Sequence, residues 1–164
     1  MTHSAEWKRL SETQKNAILG YQEKFPVPVG LIAKELGIKV LKSTMPGSIS
    51  GEIREANGMV TIKVNRHDTK ERQRFTIAHE IAHFLLHRER LVGGITDDVL
   101  YRSRLSDDLE REANRLGADI IMPTSLIDET MAKLKGEKLE DKLKILAEKA
   151  EVSLVAAKIR TGKS

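Results

Sequence analysis

The chain has 164 residues, of which 40% are hydrophobic and 32% are charged, and these values are typical of one globular domain rather than of a disordered or fibrous protein. It contains no cysteine, which excludes disulfides, thiolate nucleophiles and cysteine-based zinc sites. A net charge of +4 falls short of a nucleic-acid signature, and the lack of a signal peptide or a bilayer-length apolar stretch predicts a cytoplasmic protein without membrane contact.

The first 65 residues predict helices followed by a small sheet. Apolar periodicity and Pro/Gly breaks indicate helices over 4–22 and 29–36, then strands over 38–41, 51–56 and 59–65. Asn57-Gly58 joins the last two strands, and this dipeptide is the strongest short signal for a hairpin. The strand over 59–65 is interpreted as the edge along which an extended peptide binds.

The remaining residues predict a mainly helical structure. Asp68 and Glu71 resemble a capping box for a helix that runs to about His87. Residues 88–105 are expected to form a long loop with at most one turn of structure. The later helices are predicted over 107–121 with Ser106 as cap, over 126–134 and 137–150, and from Ser153 to 160. We expect residues 1–125 to form the main domain and 126–164 a helical appendage packed on it.

The segment His79-Glu80-Ile81-Ala82-His83 lies in the most strongly periodic of these helices. Residues four apart lie one above the other on a helix, so His79 and His83 can direct ring nitrogens at one metal ion. Glu80 is rotated about 100° from His79, where its carboxylate can act as a general base on a water without binding the metal. The pattern is typical of zinc-assisted peptide hydrolysis. Two histidines on a helix surface beside a salt-bridging glutamate would show the same sequence pattern.

A catalytic zinc ion needs a third protein ligand and one open position. His87 lies eight residues beyond His79, about 12 Å along a straight helix, and is too distant to bind the same ion. Glu110 is the better candidate, because it shares a helix face with small residues that allow close approach to the motif helix.

Two further residues of that second helix are interpreted differently. Asn114 lies one turn after Glu110 on the same face and can hold the distal nitrogen of a ligand histidine. Glu112 lies about 200° around the helix from Glu110, so it is interpreted as a solvated or capping carboxylate. Tyr101, an arginine of the 88–105 loop or His87 are candidates for contact with the substrate or its oxyanion, and nothing in their spacing selects one.

Residues 74–87 (RFTIAHEIAHFLLH) and 110–123 (EREANRLGADIIMP) resemble the two conserved blocks of the ImmA/IrrE family of metallopeptidases. With the strand that begins Ser50-Gly51 and the strand end at Asn65, the likeness covers about residues 28–160. The chain departs from the usual pattern at Ala82, where many relatives carry glycine, and at Leu116-Gly117, where an aromatic residue and alanine are usual.

The resemblance implies a compact α+β, zincin-like (gluzincin) fold in which a small twisted sheet packs on the motif helix and the C-terminal region is helical. It implies one Zn²⁺ per chain on His79, His83 and Glu110, with Glu80 as the catalytic residue. The expected substrate is a partner protein, namely a helix-turn-helix transcriptional repressor of phage or stress-response type encoded nearby. Larger relatives add a sensory domain, which this chain is too short to contain.

Two other functions are open from the sequence. Residues 143–154 suggest a helix-turn-helix that would contact DNA, but the turn carries Glu151 where a glycine is usual. The chain would otherwise be a non-catalytic module, antitoxin-like or repressor-binding, that acts by protein contact alone. The presence of Glu80 beside both histidines favours chemistry over either alternative.

Overall fold

The computed structural model describes residues 3–98 and 107–163, which form a mixed α+β fold, as predicted. A 3₁₀ helix, Trp7–Arg9, precedes the first α-helix, and another, Arg88–Arg90, follows the third. The remaining elements are α1 Glu12–Leu19, α2 Val29–Glu35, β1 Ile38–Ser43, β2 Ile49–Ala56, β3 Met59–Asn65, α3 Lys70–Leu86, β4 Ile95–Asp98, α4 Asp107–Ile121, α5 Thr124–Lys133, α6 Leu139–Ala150 and α7 Leu154–Thr161.

The strands form one mixed sheet in the order β1-β3-β2-β4. β2 and β3 are an antiparallel hairpin whose turn has positive φ at Asn57 and Gly58, as the type I′ geometry of this dipeptide requires. β1 pairs with β3 in parallel and β4 pairs with β2 antiparallel. The prediction that residues 59–65 form a sheet edge is therefore wrong, because β1 covers the side of β3 that β2 leaves open.

Helix α3 lies between the sheet and helix α4. Val60, Ile62 and Val64 of β3 are buried, and the alternation of buried positions shows that one face of the sheet forms the core. Ala78, Ile81 and Ala82 of α3 are fully buried in the same core. The expected packing of the sheet on the motif helix is thus confirmed.

The N-terminal region differs from the single helix predicted over 4–22. The chain is extended at Leu10, and Ser11 caps the start of α1. In this capping box the Ser11 hydroxyl accepts a hydrogen bond from the Gln14 N–H, and the Ser11 N–H donates to the Gln14 side-chain oxygen. Trp7 and Leu10 are buried on the core, so the break allows both to pack inward. The capping box at Ser11 therefore starts a new helix within the apolar pattern that predicted a single helix over 4–22.

Two boundaries around α3 were also predicted wrongly. Thr69, not Asp68, caps the helix, because its hydroxyl accepts the hydrogen bond from the Arg72 N–H. Among the described residues after His87, the 3₁₀ turn agrees with the one turn of structure expected in the loop, whereas the edge strand β4 contradicts the loop predicted at 95–98. The cap predicted at Ser106 lies outside the described residues.

The C-terminal helices follow their predictions within two residues at each end, and Ser153 caps α7 as expected. Arg74 of α3 donates to the backbone carbonyls of Ala150 and Glu151, and Arg160 of α7 pairs with Asp119 of α4. These contacts join the last two helices to the motif helices, while the division at residue 125 remains a prediction. None of the helices within 3–98 and 107–163 has the length and apolar character to cross a membrane.

Candidate metal centre

Helix α3 presents the three polar residues of the motif from inside the core. His79, Glu80 and His83 are 3%, 0% and 0% exposed, although each has a polar or charged side chain. Burial of such groups is costly unless they are paired or hold a metal ion, so their position indicates a built site. The Glu80 Oε1 atom lies 3.9 Å from His79 Nε2, beside the pair of histidines.

Helix α4 brings Glu110 to the same point. Its two carboxylate oxygens lie 3.3 Å from His79 Nε2 and 3.0 Å from His83 Nε2. The close approach depends on Gly117, since a Cβ there would lie 3.2 Å from the His79 backbone. This short distance agrees with the prediction that small residues on this face of α4 allow it to approach the motif helix closely.

The donor atoms of these residues have the chemistry and spacing that a divalent metal ion needs. The two Nε2 atoms are 3.1 Å apart, and one ligand atom from each of His79, His83 and Glu110 lies within 4.8 Å of the others. Tetrahedral ligation with bonds of about 2.0–2.1 Å separates ligand atoms by roughly 3.3 Å. Two imidazoles and one carboxylate leave the fourth position of such a site open, and the residues present therefore fit the metal ion that the motif implies.

The site also favours the charge states in which these residues bind metal. Burial lowers the pKa of His83 to about 4, with further lowering by His79 and His87 and opposition from the Glu110 hydrogen bond. Burial alone would raise the pKa of Glu110, but hydrogen bonds from both histidines outweigh it and hold that pKa far below its ordinary value. At neutral pH the site thus offers a neutral imidazole and a carboxylate anion.

Asn114 orients the first histidine. Its Oδ1 lies 2.8 Å from His79 Nδ1, so it accepts the Nδ1–H hydrogen bond when that nitrogen carries the proton. This tautomer leaves Nε2 with its lone pair directed at the metal position. The position of Asn114 is the one predicted from the helix face that it shares with Glu110.

The second histidine is held by residues that the sequence did not connect with the site. His83 Nδ1 lies 2.8 Å from His87 Nδ1, and His87 Nε2 lies 2.8 Å from Glu112 Oε1. The interpretation of Glu112 as a solvated or capping carboxylate is wrong, because one of its oxygens bonds His87 and the other accepts from Arg9 at 2.8 Å. The bond with His87 also lowers the pKa of Glu112. The sequence feature that could have connected His87 with the site is its distance of four residues from His83, the same i, i+4 spacing that His79 and His83 have.

The remaining predicted contacts are placed as follows. Tyr101 lies outside the described residues. His87 is buried, and both of its ring nitrogens are hydrogen-bonded, so its position favours support of His83 over contact with a substrate. In the helix-turn-helix-like tail, α7 exposes the apolar Val155 and Ile159, while Arg160 is engaged by Asp119. An exposed apolar face is not typical of a groove-reading helix.

A largely apolar cavity of about 460 Å³ lies between α3, α4 and α7. Phe75, Ala118, Met122 and Ile159 contribute to its walls. Asn114 also lines it while bonding His79, so the cavity adjoins the metal centre.

The family comparison agrees with the geometry. The profile of the Peptidase_M78 family, described as the IrrE N-terminal-like domain, matches residues 33–161. The chain is also 35% identical over 98 residues to the radiation response metalloprotease IrrE of Deinococcus deserti, an alignment that covers 58% of this chain and 34% of that protein. The chain therefore spans about a third of the length of the curated relative that it matches.

The resemblance deduced from the two motif blocks is thus confirmed. Because the matched residues include the sheet, both helices of the metal centre and most of the C-terminal helices, the chain belongs to the Peptidase_M78 family, the ImmA/IrrE family of metallopeptidases.

Proposed function

We propose that this chain is a zinc-dependent endopeptidase that cleaves a partner protein, with Glu80 as its general base. The observation that carries the proposal is the meeting of His79, His83 and Glu110 from two helices, with the Glu80 carboxylate fully buried beside them. The site is the product of α3 and α4 packing closely at Gly117. A simple pair of surface histidines would be neither buried nor joined by a carboxylate from another helix.

The proposed mechanism assigns one task to each residue. A bound zinc ion supplies Lewis acidity, which acidifies a water and polarises the scissile carbonyl. Glu80 accepts the proton of the attacking water and transfers it to the leaving amine. It can do so because its carboxylate lies beside His79 without occupying a metal-ligand position. Asn114 and His87 hold the two ligand histidines in the tautomers that binding requires.

The sheet offers a different strand for substrate from the one predicted. β3 is paired on both sides, whereas β4 is an edge strand among the described residues. β4 pairs with β2, and β2 contacts the motif helix where Gly51 meets Thr76, one turn before Glu80. An extended peptide added to β4 would therefore extend the sheet that packs on the motif helix, and the apolar cavity beside Asn114 is a separate candidate site for an apolar side chain of the substrate.

The partner that we propose is a helix-turn-helix transcriptional repressor encoded near this gene, of phage or stress-response type. Support comes from the family resemblance, and the name of the Deinococcus relative links that protein to the radiation response. Zinc rather than another divalent ion is proposed on the histidine-rich donor set.

The experiment is cleavage of that repressor on co-expression with the wild type and with Glu80→Gln. We expect Glu80→Gln to keep the metal but to lower the rate of cleavage at least about 100-fold, because a positioned general base contributes that much. Glu89→Gln, at an exposed position of the following 3₁₀ turn, is the matched control and should cleave at the wild-type rate. Undiminished cleavage by Glu80→Gln would refute the mechanism, and a wild type without stoichiometric metal would favour the non-catalytic module.

A further inference from the structure

A chain of polar contacts leads from the metal centre to the N-terminal segment, defined here as residues 3–10. It runs from His83 to His87, from His87 to Glu112, and from Glu112 to Arg9, whose Nη1 lies 2.8 Å from Glu112 Oε2. His83 and His87 are 0% and 2% exposed, and Glu112 is 23% exposed at its side chain. Exposure to solvent therefore increases along this relay, from the buried histidines to Arg9, whose side chain is 48% exposed.

The hydrogen bonds of this relay have one consistent direction when His83 binds a metal through Nε2. The Nδ1 atom of His83 then carries the proton and donates to His87 Nδ1. His87 must donate from Nε2, and the Glu112 carboxylate accepts that bond with one oxygen. Its other oxygen accepts from Arg9. Every donor therefore meets an acceptor without a charged histidine.

The N-terminal segment is fixed along α4 by two further contacts besides that of Arg9. The Glu6 carboxylate accepts from Arg115 at 2.6 Å, and the Ser4 N–H donates to Asp119 at 3.0 Å. Residues 112, 115 and 119 are three and four apart, so they form one stripe on α4. The segment lies outside the residues matched by the family profile, which begins at residue 33.

We propose that Glu112 and Arg9 are positioning residues for the metal ligand His83, so that the N-terminal segment sets how tightly the centre holds its metal. The inference rests on the proposed function only for the identity of the ligands. Glu112 fixes the orientation and tautomer of His87, and His87 does the same for His83. Arg9 acts through Glu112, because the bond from its guanidinium to Oε2 holds that carboxylate in the orientation in which Oε1 meets His87.

The test is the dissociation constant for Zn²⁺, measured by competition with a chromophoric chelator. We expect Glu112→Gln to bind Zn²⁺ up to about 10-fold more weakly than the wild type, the lower end of the effect of losing a direct partner of a ligand histidine, because Glu112 acts on His83 through His87. Arg9→Met should weaken binding a few-fold, since its side chain is 48% exposed and solvent screens its charge. Lys8→Met, at the exposed neighbouring position, is the matched control and should bind as the wild type does.

Two further readouts separate positioning from packing. Glutamine has the shape of glutamate, so a role in packing alone would leave both the Zn²⁺ affinity and the visible spectrum of the Co²⁺-loaded protein unchanged in Glu112→Gln, whereas positioning of His83 predicts a shift in both. In the double variant, Arg9→Met should add nothing to the effect of Glu112→Gln, because Arg9 acts through Glu112.

The outcomes are distinct. Wild-type Zn²⁺ affinity in a folded Glu112→Gln variant overturns the inference and leaves the proposed endopeptidase intact. Additive effects in the double variant overturn the part assigned to Arg9. If Glu112→Gln does not fold, Arg9→Met at the surface decides, and an unchanged affinity there refutes the link to the N-terminal segment. A wild type that binds no divalent metal contradicts the proposed function itself.

Discussion

Asn114 is the side chain of α4 that directly fixes a ligand histidine, through the 2.8 Å contact between its Oδ1 and His79 Nδ1. Asn114→Leu keeps the approximate volume but removes the acceptor, so we expect Zn²⁺ binding to weaken about 10- to 100-fold. Asn114→Asp keeps an acceptor oxygen and should bind closer to the wild type. Chelator competition measures both, and equal affinity in Asn114→Leu would show that His79 needs no such partner.

Glu6 makes stability depend on pH. Its hydrogen bond with Arg115 lowers its pKa, and burial opposes this more weakly. A carboxyl with a lowered pKa in the folded state stabilises the protein above the ordinary carboxyl pKa, and this contribution is lost as the pH falls through the lowered value. Wild type should therefore lose more unfolding free energy than Glu6→Gln on acidification below about pH 4.5.

Chemical denaturation across that range, with chelator in every sample, tests the difference. The control is Glu12→Gln, whose carboxylate is 85% exposed and pairs only with a neighbouring lysine at 3.5 Å among the contacts of the described residues. It should follow the wild-type curve. If the unfolding free energies of Glu6→Gln and wild type fall in parallel with pH, the Glu6–Arg115 pair is not the source of this pH dependence.

At the scale of residues, the sequence was sufficient where one helix sets the geometry. The spacing of His79 and His83 and the face shared by Glu110 and Asn114 follow from 3.6 residues per turn. Glu112 could not be interpreted in this way, because its partner Arg9 is 103 positions away in the chain. The angular position of a residue on a helix shows which residues share its face. It does not show which residues of another element contact that face.

At the scale of elements, Gly51 determines how closely the sheet approaches the motif helix. A Cβ there would lie 2.5 Å from Thr76 Cγ2 and 2.9 Å from the Lys63 carbonyl oxygen, so the backbone must shift. We expect Gly51→Ala to lower the unfolding free energy by about 1–3 kcal/mol, the usual cost of overpacking. Gly47→Ala is the matched control, since a Cβ at Gly47 meets nothing within 4 Å. Similar denaturation midpoints for the two variants would contradict this account.

Elements were predicted well where capping or turn residues are local, as at Asn57-Gly58 and Ser153. The order of strands was not predicted, because the parallel pairing of β1 with β3 depends on a connection that passes through β2. The strand Ile95–Asp98 was missed because it follows Gly93-Gly94 and half of its residues are aspartate, a residue type that is depleted in strands. Its partner β2 supplies the hydrogen bonds that define it.

At the scale of the whole molecule, the metal centre joins α3, which packs on the sheet, to α4, which carries the N-terminal segment and contacts α7. A metal bound to His79, His83 and Glu110 would therefore cross-link two parts of the core. Since the unfolded chain does not form the site, a metal that binds only the folded state stabilises it by mass action. Zn²⁺ at 100 times its dissociation constant should add about 2.7 kcal/mol.

For a chain of this length we expect chelation to lower the melting temperature by about 5–10 °C, because each kcal/mol corresponds to roughly 2–4 °C. Calorimetry with and without chelator measures the shift. In Glu110→Gln the shift should shrink sharply, since the ligand from α4 is weakened and the cross-link between the helices is lost. Glu89→Gln should retain the full shift, because Glu89 lies at the surface beyond the end of α3. A shift of wild-type size in Glu110→Gln would mean that the metal is held by α3 alone, and the carboxylate of α4 would then have no part in joining the two helices.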